Sequence, residues 1–418
     1  MQAVPAVRLV VVLMLVALAT IVVTRRLRVP YSLGLVVVGL AIAAFRLLPD
    51  VRLTPDVVLD VFLPALLFEG AWTLDIHLLR RVWLPVTLLV GPGLLLTVGI
   101  CAVVLRLGAG LDWGAALLLG AILAPTDPVA VLALFRELGV GDRLRTTIEG
   151  ESLFNDGVAS VVYLVVLGLV VGAEQGQAVT AAAITGAVAL GVVRLVLAGT
   201  ALGSGAGLLV AWGLRRVDEP LLETTMTLVA AYGVYLLADA LGFSGILAVV
   251  CLGLVLGNYG KRVGMSERTQ EAADGFWSQV AFLANALLFL LVGAQIDLGM
   301  YLYEPGAGTL LAAAGWAIAA VLGGRAFAVY ALRPVARLLR LPAHASWPPV
   351  LLWAGLRGAL SMALALALPY SLPTRSTLVA ATYAVVLFTL LVQGLSLREV
   401  LRRLGVGHHG ASGGRARE

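Results

Sequence analysis

The sequence predicts an all-α polytopic membrane protein, and three observations lead there. Of 418 residues, 61% are hydrophobic and 13% charged, with a mean hydropathy of +1.00; a soluble domain is roughly half apolar and about a quarter charged. Apolar runs of about 18 residues or more, enough to cross a bilayer, recur from end to end. No long polar insertion separates them. The sequence therefore leads us to expect no soluble domain before, within or after the membrane part, only the short polar tail REVLRRLGVGHHGASGGRARE.

Thirteen spans are expected, at 5–24, 31–48, 56–74, 82–105, 112–135, 146–172, 180–213, 221–240, 243–258, 275–296, 308–332, 347–369 and 376–397. The first apolar run, Leu9 to Val23, ends in TRRLR without a small-residue cleavage site, which marks a span and not a signal peptide. The third span carries FLPALLFEG, with Pro64 and Glu69. The fifth reads ALLLGAILAPTDPVAVLALF, where Pro125 and Pro128 bracket Thr126 and Asp127. Each proline removes a backbone donor and crowds the preceding turn, so the helix breaks there. In hydrocarbon a break is tolerated only where it meets protein or lines a cavity. The sixth span opens on EGESLFNDG and continues apolar to Val171.

The seventh span is long enough for two helices. Splitting it would reverse the charge bias of every later loop, so one long tilted helix is expected. It carries Gly199, Gly203 and Gly207 at every fourth position, a stripe that permits close packing within the chain or across a dimer. The twelfth span, PPVLLWAGLRGALSMALALALP, has Gly355 and Gly358 around Arg357 and is the second interrupted segment. If spans 1–6 and 8–13 are two repeats linked by span seven, the second copy is inverted and both breaks occupy equivalent places. Paired interrupted helices in inverted repeats point to a midplane substrate site.

The basic residues set the topology. Loops after odd-numbered spans, with the tail, hold 21 of the 29 Lys and Arg, against 5 on the other side. The positive-inside bias then puts the N-terminus outside and the C-terminus in the cytoplasm. The same bias accounts for a pI of about 9.5 without nucleic acid. Cys101 and Cys251 lie within apolar runs and read as small hydrophobes. His77, His344, His408 and His409 fall in loops or the tail, which argues against an intramembrane zinc centre and leaves no cofactor implied.

Few ionisable residues lie within spans. Glu149, Glu223 and Asp239 sit near span ends, where solvation is the simple reading. Asp127, Glu151, Asp156, Arg325 and Arg357 are deeper, where an unpaired charge costs about 3 kcal/mol or more. Such groups are paired, bound to an ion or neutralised. On a helix Ser152 and Asp156 share a face with Glu149, while Glu151 and Asn155 form a second stripe. Asp156, Glu69, the Ser152 hydroxyl and a carbonyl freed at Thr126 offer the oxygen ligands a hard monovalent cation needs. A desolvated carboxylate takes a proton or a cation, not both, which is the requirement for exchange.

Together FLPALLFEG, APTDPVAV, IEGESLFNDG, LLVGAQID and WAGLRGALSMALALALP resemble the monovalent cation/proton antiporter family of the NhaP type, related to the eukaryotic sodium/proton exchangers. The resemblance covers essentially the whole chain. It implies an NhaA/NhaP-like fold and exchange of Na+, with Li+ or K+ as alternatives, for H+ across the cell membrane. It implies Asp156 as the ion- and proton-binding carboxylate, with Glu69, Ser152 and Thr126 as co-ligands and Asn155 and Asp127 in the same group. Asn155–Asp156 matches the Asn-Asp pair of electroneutral members. Glu151 would pair with Arg325, and Asp127 and Arg357 would sit at the crossed helix breaks and offset their dipoles. A homodimer is implied too: interface helices at 1–74, a core bundle at 82–172, a linker and interface helices at 178–296, a second core half at 308–397 and a tail at 398–418. Two rival functions draw on similar residues. A cation channel also uses broken helices and acids, but here the acids form no repeated ring. An intramembrane enzyme could use Asp127 and Asp156 on neighbouring spans, but the prolines and Asn155 suit ion coordination better.

Overall fold

In lipid a chain must satisfy its backbone polar groups internally, and these apolar runs do so as helices. The computed structural model describes residues 3–27, 29–46, 54–174, 181–296, 307–339 and 346–406. His344, His408 and His409 lie outside them, as do Arg28, Arg52, Arg340, Arg415 and Arg417 of the charge count. Among the described residues there is no strand, and helix occupies the place of every expected span.

The helices are α1 (Ala3–Leu27), α2 (Tyr31–Ala44), α3 (Leu63–Thr73, entered through a π turn at Val57–Phe62), α4 (Ile76–Gly108), α5 (Trp113–Ile122), α6 (Val129–Leu138), α7 (Asp142–Glu174) and α8 (Ala181–Leu214). Then come α9 (Pro220–Ala240), α10 (Gly245–Gly264), α11 (Glu267–Ala294), α12 (Ala307–Ala331), α13 (Arg333–Leu338), α14 (Trp347–Trp353), α15 (Ala359–Leu366) and α16 (Arg375–Arg403). Among the described residues nine helices are long and apolar enough to cross a membrane, while α2 and α5 are shorter apolar helices. The fifth expected span is α5 and α6 and the twelfth is α14 and α15, each pair separated by non-helical backbone.

Several boundaries differ from the sequence reading, each for a local reason. The fourth span begins at Ile76 instead of 82, because Asp75 caps it by accepting the His77 amide at 2.6 Å. The ninth extends to Gly264 instead of 258 through a π turn at Leu256–Gly260. The last helix runs to Arg403, so the first residues of the expected tail are helical. There Leu397 and Leu401 are buried, and Glu399 pairs with Arg402 and Arg403, each at 2.8 Å. The seventh span is a single 34-residue helix, as the charge argument required.

Small residues bring helices together where the fold needs it. Gly293 of α11 lies against α2 so closely that a Cβ there would come within 2.9 Å of the Val36 carbonyl carbon. The glycine stripe of α8 is used within the chain. A Cβ on Gly203 would sit 2.7 Å from the Ala248 carbonyl carbon of α10, and Gly199 and Gly207 face the same helix. Those three positions are therefore occupied by intramolecular packing, which removes the dimer reading of the stripe. We expect Gly203→Ala to force α8 off α10 at a cost of about 1–3 kcal/mol, seen as a lower melting temperature in detergent. Gly205→Ala on the same helix has nothing within 4 Å of the new methyl and should leave it unchanged.

Candidate functional site

Pro125 and Pro128 end α5 and release the start of α6, and glycines flanking Arg357 part α14 from α15. The two breaks satisfy each other. The Asp127 amide donates to the Leu356 carbonyl at 2.8 Å, and Asp127 Oδ1 caps α6 by accepting the Val129 amide at 2.9 Å. From the other break, Arg357 Nη1 donates to the Ala124 and Pro125 carbonyls, both at 3.0 Å. Each charge thus meets the helix end of opposite sign: the carboxylate at the start of α6, the guanidinium beyond the end of α5. Arg357 is fully buried, and its own amide donates to Thr389 Oγ1 at 3.1 Å. Gly358 leaves room for this contact, since a Cβ there would lie 2.8 Å from Asp127 Cβ.

Helix α7 closes the arrangement with its two polar stripes. Asn155 Nδ2 donates to the Ala124 carbonyl at 2.9 Å and to Thr126 Oγ1 at 3.2 Å. The Ser152 hydroxyl donates to the Thr126 carbonyl, so the carbonyl expected to be free is already engaged by a proposed co-ligand. One turn away Glu151, 2% exposed, accepts both Arg325 Nη1 and Nη2, at 2.7 and 2.9 Å. Arg325 also donates to the Leu351 carbonyl of α14 at 3.2 Å. A buried bidentate pair with further bonds to the Leu351 carbonyl ties α7, α12 and α14 together.

Asp156 projects from α7 into a cavity of about 640 Å³, and its Oδ1 is shielded from solvent without a hydrogen-bond partner. Glu69, Thr126, Asp127, Glu149 and Ser152 border the same cavity. Of the ion-binding group expected from the sequence, Asp156, Glu69, Ser152, Thr126 and Asp127 border one cavity, while Asn155 does not and is instead turned to the first break. Glu151, Asn155, Arg325 and Arg357 lie behind this wall and hold the breaks. Glu223, read as a solvated span-end residue, is instead fully buried and accepts the Thr269 hydroxyl at 3.3 Å. Its neighbour in that reading, Asp239, is exposed.

Some lining residues escaped sequence reasoning. Ser278 and Asn285 of α11 border the cavity, as does Ser361 at the start of α15. Asn285, alone among apolar neighbours in FLANALLFLL, carried the only signal; the motifs drew attention elsewhere. Arg25, Arg136 and Arg145 also border the cavity. Sequence reasoning used them only to orient the chain.

Two interrupted helices crossing beside a shielded carboxylate, in a chain of long apolar helices, define a class: multi-pass membrane proteins of the broken-helix transporter fold. The chain belongs to the sodium/hydrogen exchanger family, whose transmembrane-region model matches residues 11–403. It is 42% identical over 383 residues to the Na+/H+ antiporter ApNhaP of Aphanothece halophytica, covering 91% of this chain and 70% of that one. It is 37% identical over 362 residues to the Na+/H+ antiporter NhaP of Pseudomonas aeruginosa, covering 84% and 82%. The fold matches the sodium proton antiporter MjNhaP1 of Methanocaldococcus jannaschii with a TM-score of 0.75, at 22% identity over 97% of this chain and 99% of that one.

Proposed function

We propose that this protein is a secondary active antiporter that exchanges Na+ for H+, with Asp156 binding the two in competition. The carrying observation is the Asp156 carboxylate, one oxygen shielded and unpartnered, at the crossing of two helix breaks and open to a cavity with further oxygen donors. When the proton leaves, the carboxylate needs a compensating cation, because a lone charge is costly there. The Ser152 hydroxyl and Glu69 border the same cavity as hard oxygen donors, and the Thr126 carbonyl, which accepts from Ser152, has a second lone pair to offer. When a proton returns, the compensation is no longer needed and the cation leaves. One site with two exclusive ligands, exposed to one side at a time, is sufficient for exchange.

Asn155 in place of a second acid leaves Asp156 as the one carboxylate that α7 brings to the crossing, which fits one-for-one, electroneutral turnover. Asp127 and Arg357 act as fixed charges that hold the breaks, and Glu151–Arg325 as the structural pair beneath them. The charge bias of the loops supports an external N-terminus, thirteen crossings and a cytoplasmic C-terminus. It also puts the mouth of the cavity, where Arg25, Arg136 and Arg145 lie, on the cytoplasmic side. We assign α4–α7 and α12–α16 to a moving core, and α1–α3 and α9–α11, linked by α8, to an interface domain that pairs two copies in the cell membrane.

The test is flux in proteoliposomes with an imposed pH gradient. Na+ on the opposite side is expected to dissipate the gradient without generating a membrane potential, in a comparison with Li+ and K+ across pH. Flux that persists without proton movement, or large single-channel currents, would rule out exchange.

A further inference from the structure

The route to Asp156 carries charges of the wrong sign for a cation. Arg25 from the last turn of α1, Arg136 from the last turn of α6 and Arg145 from the first turn of α7 border the same cavity as Asp156. Arg25 and Arg136 are exposed and form no ion pair among the described residues, while Arg145 shares one of 3.4 Å with Asp142. Arg136 Nε donates only to the Leu132 carbonyl of its own helix, at 3.4 Å. The groups facing them are Glu69 from α3, Glu149 and Asp156 from α7, Asp127 from the first break and Tyr31 from α2. Three guanidiniums from three helices thus stand against the carboxylates that attract the substrate.

We infer that Arg25, Arg136 and Arg145 form an electrostatic rim that sets the apparent cation affinity of the site from the mouth, without touching the ion. This rests on the exchange reading above. A cavity of 640 Å³ has a length on the order of 10 Å. Over such a distance, through a water-rich path, one unit charge changes cation affinity by about twofold. Sodium and proton carry the same charge, so the rim weakens both by the same factor. It lowers affinity and leaves their competition balanced. A ligand or a packing residue has no reason to act on the two equally.

The experiment uses the full chain in proteoliposomes, with Arg25→Gln, Arg136→Gln, Arg145→Gln, the triple variant and Arg136→Lys. At low ionic strength, and at a pH alkaline of the acid limb where protons no longer compete, the apparent KM for Na+ on the cavity side is expected to fall about twofold for each charge removed. The acid limb of the pH profile should move alkaline in step, by about 0.3 pH unit for each twofold change. Arg136→Lys keeps the charge and should keep both values. Choline chloride raised from about 10 mM to about 150 mM shortens the screening length from about 30 to about 8 Å and should shrink the difference between wild type and triple variant. An unchanged KM in the triple variant on the alkaline side of the acid limb overturns the rim, as does a KM change there with a stationary pH profile or one that lysine does not preserve. A wild-type protein that exchanges no monovalent cation for protons sinks the exchange reading itself. Exchange in wild type with an unaltered triple variant sinks the rim alone.

Discussion

Asp156→Asn is expected to abolish Na+-driven dissipation of a pH gradient while the protein still folds. Asparagine has nearly the same shape and keeps an oxygen to accept the Thr126 amide as Asp156 does, and the breaks are also held by Asp127, Arg357, Ser152 and Asn155. What disappears is the carboxylate that α7 brings into the cavity beside the crossing of α5–α6 with α14–α15; Asp127, the other acid at the crossing, is engaged in capping α6. Contact between an ion and a carboxylate is worth about 3 kcal/mol or more even at a moderately high effective dielectric, so cation affinity should fall more than about a hundredfold. Nor can the variant carry a proton at that position. Thermal unfolding in detergent should match wild type within a few degrees, apart from losing Na+-dependent stabilisation. Residual exchange in this variant would transfer the site to Glu69, the other carboxylate of the cavity reached from a separate helix.

Glu151→Gln should do the opposite: lose stability first and activity as a consequence. Its carboxylate receives two charge-assisted hydrogen bonds from Arg325 in a region where Glu151 is 2% and Arg325 7% exposed. Removing one partner leaves a buried guanidinium without its counter-charge, at a cost of about 3–5 kcal/mol. Replacing both, as in Glu151→Gln with Arg325→Met, removes the stranded charge and should recover part of that loss. A thermal denaturation cycle over the two single variants and the double one measures the coupling. Additive single losses would show that the pair contributes no coupling energy to the fold. Where the double variant survives, it should exchange Na+ with a KM near wild type, because neither residue borders the cavity.

Much of this was legible from the residues. Helices occupy the thirteen expected places because lipid leaves the backbone no other way to satisfy itself, and both interruptions fall at the prolines around Asp127 and the glycines around Arg357. The two stripes on one helix follow from a period of 3.6: Ser152 and Asp156 turn to the cavity, and Glu151 and Asn155 turn to the scaffold. Boundaries were less legible, since a single side chain decides them, as Asp75 does at the start of α4. The burial of Glu223 was not legible either. Its position near a helix start suggested water, and only the first turn of α11, folded across it through Thr269, excludes water.

By itself the sequence determined the membrane class, the positions of the breaks and the face of α7 on which each acid lies. Those are consequences of composition, of missing backbone donors and of helical period, all local. The tertiary structure alone decided that the two breaks would complete each other's hydrogen bonds, that the glycines of α8 would be used against α10, and that three arginines counted only as a topology signal would share a cavity with Asp156. Each of these depends on residues distant in the chain meeting at packing distance. Periodicity gives the face a side chain occupies, and only the packed bundle gives the neighbour that face will meet.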